Sequence, residues 1–126
     1  MKNNSLLTHS IISAAIEVHR HIGPGLLESA YEKCMCAELA ARGIDFKRQV
    51  LLPVNYKGIQ LNCGYRMDLV VEDEVVVELK VVKELEKIHE AQLLTYLRLA
   101  GIKPGLLLNF NVLLMKNGIK RIANGL

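Results

Sequence analysis

The stretch from Tyr65 to Lys80 constrains this chain more than any other. Two runs rich in β-branched and aliphatic residues, Tyr65 to Val71 and Val75 to Lys80, flank the acidic tripeptide Glu72-Asp73-Glu74, the pattern of an antiparallel hairpin. With a three-residue turn, residues whose numbers sum to 146 face each other. Asp68 then stands opposite Glu78, and Arg66 opposite Lys80. Alternation sends Met67, Leu69, Val71, Val75, Val77 and Leu79 to the core and gathers Arg66, Asp68, Val70, Val76, Glu78 and Lys80 on the other face. Like charges directly opposite on neighbouring strands are destabilising unless something cationic sits between them, and a divalent metal is the simplest candidate. Lys80 projects to the same side as Glu78 and is placed to hold a phosphate oxygen or an attacking water beside that metal. The plainer reading makes Asp68 and Glu78 solvated residues of an exposed polar face, paired with Arg66 and Lys80.

Around the hairpin the periodicity is helical at both ends. A first helix is predicted from about Leu7 to Ile22, with Ser5 or Thr8 as its cap and Gly23-Pro24-Gly25 as its stop. A second runs from about Leu26 to Arg42, with Leu27, Tyr31, Cys34, Met35 and Glu38 on one side and Gly43 as C-cap. It carries Glu28 in its first turn, where an acid also complements the helix dipole. Tyr31, one turn on, reads by itself as a packing residue. Stretches from Asp45 to Val54 and Ile59 to Cys63 join the hairpin in an antiparallel meander. A third helix follows from about Glu84 to Ala100 and ends at Gly101; its inward stripe reads Leu85, Ile88, Gln92, Tyr96 and Leu99. Gln92 is then either a satisfied core amide or, with Tyr96, a residue at the edge of the site that orients water or a phosphate. The apolar run Gly105 to Phe110 has the character of a strand buried on both faces, and a last element lies near Ile119 to Ile122. The expected fold class is α/β, a mixed central sheet flanked by helices with the third helix as crossover.

With 126 residues, 51% of them hydrophobic, the whole chain is expected to form one domain, 1–126, with no need of a disulfide framework. Cys34, Cys36 and Cys63 contain no C-x-x-C pair and read as buried, reduced thiols. His9, His19, His21 and His89 lack ligand spacing. A net charge of +3 permits a polyanionic partner without requiring one. No run approaches the length of a spanning helix, so a cytoplasmic protein without membrane contact is expected. The acidic turn reads as a solvated loop tip rather than a second metal site.

The run Gly25-Leu-Leu-Glu28-Ser-Ala-Tyr31 resembles the signature of the GxxExxY family, grouped with the PD-(D/E)XK nuclease superfamily and its αβββαβ restriction-endonuclease-like core. Asp68, nine residues and then Glu78-Leu79-Lys80 are similar to the superfamily's D…E-x-K centre, with Met67 where its name has proline. Gln92-Leu-Leu-Thr-Tyr96 resembles the Q-x-x-x-Y element of the exonuclease-like branch. The resemblance implies that Asp68, Glu78 and the Leu79 carbonyl bind Mg²⁺ or Mn²⁺ and that Glu28 completes the metal shell. Lys80 would be the catalytic lysine, Gln92 and Tyr96 its supporting pair, and Tyr31, Arg66 and Lys80 would lie on the substrate side. The implied activity is hydrolysis of phosphodiesters in DNA, or less readily RNA, in repair or genome defence.

Two other classes compete. The chain could keep the fold and pocket as a non-catalytic nucleic-acid- or protein-binding module, a reading favoured by its dispersed basic residues (Lys47, Arg48, Lys57, Lys83, Lys87, Lys103, Lys116, Lys120 and Arg121). It could also be a purely structural subunit. An exposed sheet edge makes a homodimer a reasonable expectation.

Overall fold

The computed structural model describes residues 4–125, side chains from Leu6 onward; the ends of the expected 1–126 domain, residues 1–3 and 126, lie outside the described residues. Three α-helices, α1 (Asn4–Ile22), α2 (Glu28–Ala41) and α3 (Lys87–Ala100), and a short 3-10 turn of helix at Met115–Gly118 accompany seven strands among the described residues. The strands are β1 (Phe46–Leu51), β2 (Val54–Tyr56), β3 (Ile59–Leu61), β4 (Arg66–Val71), β5 (Val75–Lys80), β6 (Pro104–Asn109) and β7 (Ile119–Ala123). Five of them form one mixed sheet in the order β1-β4-β5-β6-β7, while β2 and β3 pair only with each other. β5 and β6 run parallel and the other pairs antiparallel. Because parallel neighbours need a crossover, α3 carries the chain back across the sheet.

The two sheet faces are filled by different helices. Ile11, Tyr31, Met35 and Leu39 of α1 and α2 pack on Leu69, Val71, Val75, Val77, Leu79, Leu106 and Leu108. Leu93, Tyr96 and Leu97 of α3 pack on Val70, Val76 and Leu107, with Leu52 and Met67 alongside. The result is a helix, sheet, helix sandwich whose central strands are buried on both faces, as the apolar β6 sequence demands. Tyr31 is fully buried and stacks on Phe110, ring centroids 4.5 Å apart, a contact worth about 1 kcal/mol beyond its area.

Several expectations need correction. The chain does not form one meander: β1 pairs with β4, and the intervening β2–β3 ribbon stands apart from the sheet. Helix α1 begins at Asn4, so neither Ser5 nor Thr8 precedes it as a cap. The buried side of α2 is Tyr31, Glu32, Met35 and Leu39, while Leu27 is largely exposed. On α3 the buried residues are Leu93, Tyr96 and Leu97; Ile88 and Gln92 are exposed. The cause lies in β6, where Gly105 has no side chain: a Cβ there would come within 3.0 Å of Leu93 Cδ2. That slot seats Leu93, turning the helix so that Gln92 faces outward.

Candidate active site

The hairpin register agrees with the turn arithmetic. Val71 faces Val75, Val70 faces Val76 and Leu69 faces Val77, and Glu72 and Asp73 both take positive φ, 54° and 56°. The backbone of Glu74 donates to Val71 O, which with two left-handed central residues is the tight turn whose twist suits a hairpin. The paired rungs stop at Leu69 and Val77. One step further, side chains take the place of the ladder. Asp68 N–H donates to Glu78 Oε2 at 2.8 Å, and Leu79 N–H donates to Asp68 Oδ2 at 2.9 Å. Each carboxylate therefore caps the other strand's backbone, and the two strands part with their acids between them.

A second break adjoins it. Gln49 of β1 has φ of 52°, a left-handed conformation rare outside glycine. The registered pairs of β1 with β4 skip the Gln49 and Asp68 positions. Alternation shifts there too, since Leu69 and Val71 belong to the core under α1 and α2 while Met67 belongs to the core under α3. Gln49 Nε2 donates to Glu32 Oε1 at 2.7 Å and to Asp68 Oδ1 at 3.4 Å. Glu32, only 6% exposed, also accepts from Arg48 Nε and Nη2 at 3.0 and 2.8 Å. A buried carboxylate held by a guanidinium and an amide thus steadies the side chain that holds Asp68.

The acids are not a solvated face. Glu78 is 5% exposed, and burial, then the neighbouring Asp68 charge, pushes its carboxyl up to about 8. Asp68 is also raised, by burial first, with the Leu79 N–H pulling the other way. Glu28, the first residue of α2, sits at the exposed mouth; partial burial and then Asp68 raise it, and Lys80 opposes the rise. Lys80 Nζ donates to Gln92 Oε1 at 3.3 Å, and Gln92 Nε2 donates to Tyr96 Oη at 3.3 Å. Burial, followed by the Glu78 charge, raises the Tyr96 hydroxyl. The structure thus brings together Glu28, Asp68, Glu78, Lys80, Gln92 and Tyr96. Arg66 is exposed beside them and donates to Gln49 O at 3.3 Å.

Tyr31 does not join this group. Its hydroxyl donates to Gly23 O at 2.6 Å and accepts from Leu26 N at 3.2 Å, and no part of it reaches the surface. The expectation that it touches substrate gives way to a structural role: it ties down the loop from which Glu28 emerges. Conversely, Glu32 and Gln49 were not singled out by the sequence. Glu32 had a signal, four residues after Glu28 and so on the same helix face; Gln49 had none, because nothing in its neighbours marks a left-handed residue.

The donor chemistry fits a hard cation. Among the described residues no three acidic, histidine or cysteine side chains form a ready cage. Mg²⁺ asks for less, since it binds through one or two carboxylates and keeps several waters. Asp68 and Glu78 supply that number of oxygen donors; burial raises both carboxyls, and the Asp68 charge adds to the rise at Glu78. A cavity of about 580 Å³ lies elsewhere, between α1 and the segment Leu113 to Lys116, and is lined by none of these acids.

A family model for the PD-(D/E)XK nuclease superfamily matches residues 5–122. The chain belongs to this superfamily. No curated protein matches the chain. One solved structure, described as "Crystal structure of SSO0001", is similar over 95% of this chain and 79% of its own, at 18% identity and a TM-score of 0.48. The helix-flanked five-stranded mixed sheet is consistent with the superfamily's restriction-endonuclease-like fold. PD-(D/E)XK nucleases generally use divalent metal ions, and membership suggests nuclease activity on a nucleic-acid substrate. No described helix is long and apolar enough to cross a membrane.

Proposed function

We propose that this chain is a metal-dependent nuclease that hydrolyses phosphodiester bonds, in DNA rather than RNA, and that it acts in the cytoplasm in repair or genome defence. The narrower GxxExxY assignment belongs to this reading and rests on Gly25, Glu28 and Tyr31 in the sequence. The observation that carries the activity is the parting of β4 and β5 at Asp68 and Glu78, where a half-buried and a buried carboxylate face one another beside a lysine.

Asp68, Glu78 and the Leu79 carbonyl would hold Mg²⁺ or Mn²⁺, with Glu28 completing the shell from α2. When bound, such an ion polarises a non-bridging phosphate oxygen and lowers the pKa of water. The chain's own residues do the rest. Lys80 neutralises charge that develops on the phosphate in the transition state. Gln92 fixes the ammonium in place, and Tyr96 holds the Gln92 amide. Gln49 and Glu32 keep Asp68 in the rotamer that caps Leu79 N–H. Arg66, exposed at the same end of β4, binds the substrate backbone.

The test is calorimetry with Mg²⁺ and Mn²⁺ together with cleavage of single- and double-stranded DNA and RNA. Lys80→Ala should fold normally, bind metal and lose roughly 100- to 1000-fold in turnover. Glu78→Ala should lose metal binding and cleavage together. Cleavage that survives Lys80→Ala, or metal uptake that survives Glu78→Ala, defeats the assignment; tight nucleic-acid binding without turnover would favour the binding-module reading instead.

A further inference from the structure

Residues 46–67 carry four cations and no aspartate or glutamate; Lys47 and Arg48 are paired with Asp73 and Glu32, which leaves Lys57 and Arg66 for a ligand. The β2–β3 ribbon lies within this segment. Its pairs are Val54 with Leu61, Asn55 with Gln60 and Tyr56 with Ile59, joined by a tight turn in which Lys57 and Gly58 both take positive φ, 50° and 82°. Paired residues point to one side, so Val54, Tyr56, Ile59 and Leu61 share a face and the two amides share the other. That apolar face is uncovered: Tyr56, Ile59 and Leu61 are 58%, 60% and 41% exposed. Lys57 Nζ lies 5.4 Å from the centre of the Tyr56 ring. A two-stranded ribbon is marginal by itself, and keeping aromatic and aliphatic side chains on its outside calls for an explanation.

Position supplies one. The ribbon is inserted between β1 and β4, and its return strand leads through Tyr65 and Arg66 to Asp68. The half-exposed Tyr65 ring is 6.1 Å from that of Tyr96, which is linked through Gln92 to Lys80. The strand that carries Ile59 and Leu61 therefore leads along the chain, through Tyr65, to the candidate active site. Its charge suits a polyanion, and its chemistry discriminates between forms of it. Base pairs in a duplex groove offer donor and acceptor edges, for which a face of Tyr56, Ile59 and Leu61 has almost no partners. Unpaired bases offer flat apolar surfaces, for which such a face is well made.

We propose that the ribbon and Tyr65 form a platform for unpaired nucleic acid, bases lying on Tyr56, Ile59 and Leu61 and phosphates taken by Lys57 and Arg66. The proposal deepens the nuclease reading and rests on it: the substrate class is a single strand or a frayed end, led along the ribbon to the carboxylates.

The experiment measures binding of a fluorescent oligothymidylate and of a blunt duplex of equal length to the full chain in EDTA, at several salt concentrations, alongside Mg²⁺-dependent cleavage of both. The single strand should bind more tightly than the duplex. Tyr56→Ala should weaken it roughly tenfold or more, Tyr56→Phe should preserve it, and Ile59→Gln gives a second reading of the same face should Tyr56→Ala fold poorly. Equal affinity for both probes, or single-strand binding indifferent to these changes, overturns the platform even if cleavage persists. Self-association abolished by Tyr56→Ala also overturns it, with a second copy as the occupant. Tyr56-dependent single-strand binding without any cleavage would sustain the platform and remove the nuclease reading.

Discussion

Glu78→Gln should stabilise the metal-free protein, and should do so more as the pH rises. In the fold the Glu78 carboxyl is raised from 4.5 to about 8, so between those values the folded chain holds a proton that the unfolded chain has released. Stability from this group is fully present below about pH 4.5 and is lost as the pH climbs through 8, at about 1.4 kcal/mol per pH unit. With allowance for relaxation around the ion, the loss is roughly 3 to 5 kcal/mol, a large part of the total stability of a small domain. Glutamine keeps an oxygen for Asp68 N–H and cannot ionise. Urea unfolding in EDTA from pH 5 to pH 9 should therefore show native stability falling relative to Glu78→Gln. Saturating Mg²⁺ should reverse the order at pH 8, because only the native carboxylate can use the ion, and metal binding at pH 7 should release a proton, read by calorimetry in buffers of different ionisation enthalpy. Parallel pH profiles for the two proteins without metal would refute the reasoning.

Tyr31→Phe removes hydrogen bonds to Gly23 and Leu26 in a fully buried setting; it should cost about 1 to 2 kcal/mol in urea unfolding and leave metal affinity of the folded protein unchanged. A cleavage loss far beyond the loss of stability would restore it as a substrate contact. Gln92→Ala touches an exposed residue whose partners are Lys80 and Tyr96, so turnover should fall roughly tenfold, about 1.4 kcal/mol, with the melting temperature nearly unmoved. Arg48→Ala leaves buried Glu32 with Gln49 alone; the expected result is a lower urea midpoint.

Where one short-range rule controlled the outcome, the sequence was readable. The hairpin register followed from the turn between Val71 and Val75, and with it came the meeting of Asp68 and Glu78. The partner of β1 was not readable, because the segment 54–61 satisfies its own backbone in the ribbon and alternation says nothing about which strands are neighbours. The orientation of α3 hung on Gly105, a residue of another element that leaves room for Leu93. Reading the helix alone buried Gln92; packing exposed it and set it against Lys80. Glu32 and Gln49 act through tertiary contacts across 16 to 19 residues, beyond the reach of any local pattern.

The two halves of the core are separate on either side of the sheet, and the acids and the lysine meet where all three layers come together. Glu28 arrives with the layer of α1 and α2, Gln92 and Tyr96 with α3, and Asp68, Glu78 and Lys80 with the sheet between. No subset of the layers assembles the whole constellation. A chain that has lost either helical layer to heat or proteolysis therefore lacks part of the constellation, and any chemistry that needs all of these residues depends on the complete fold.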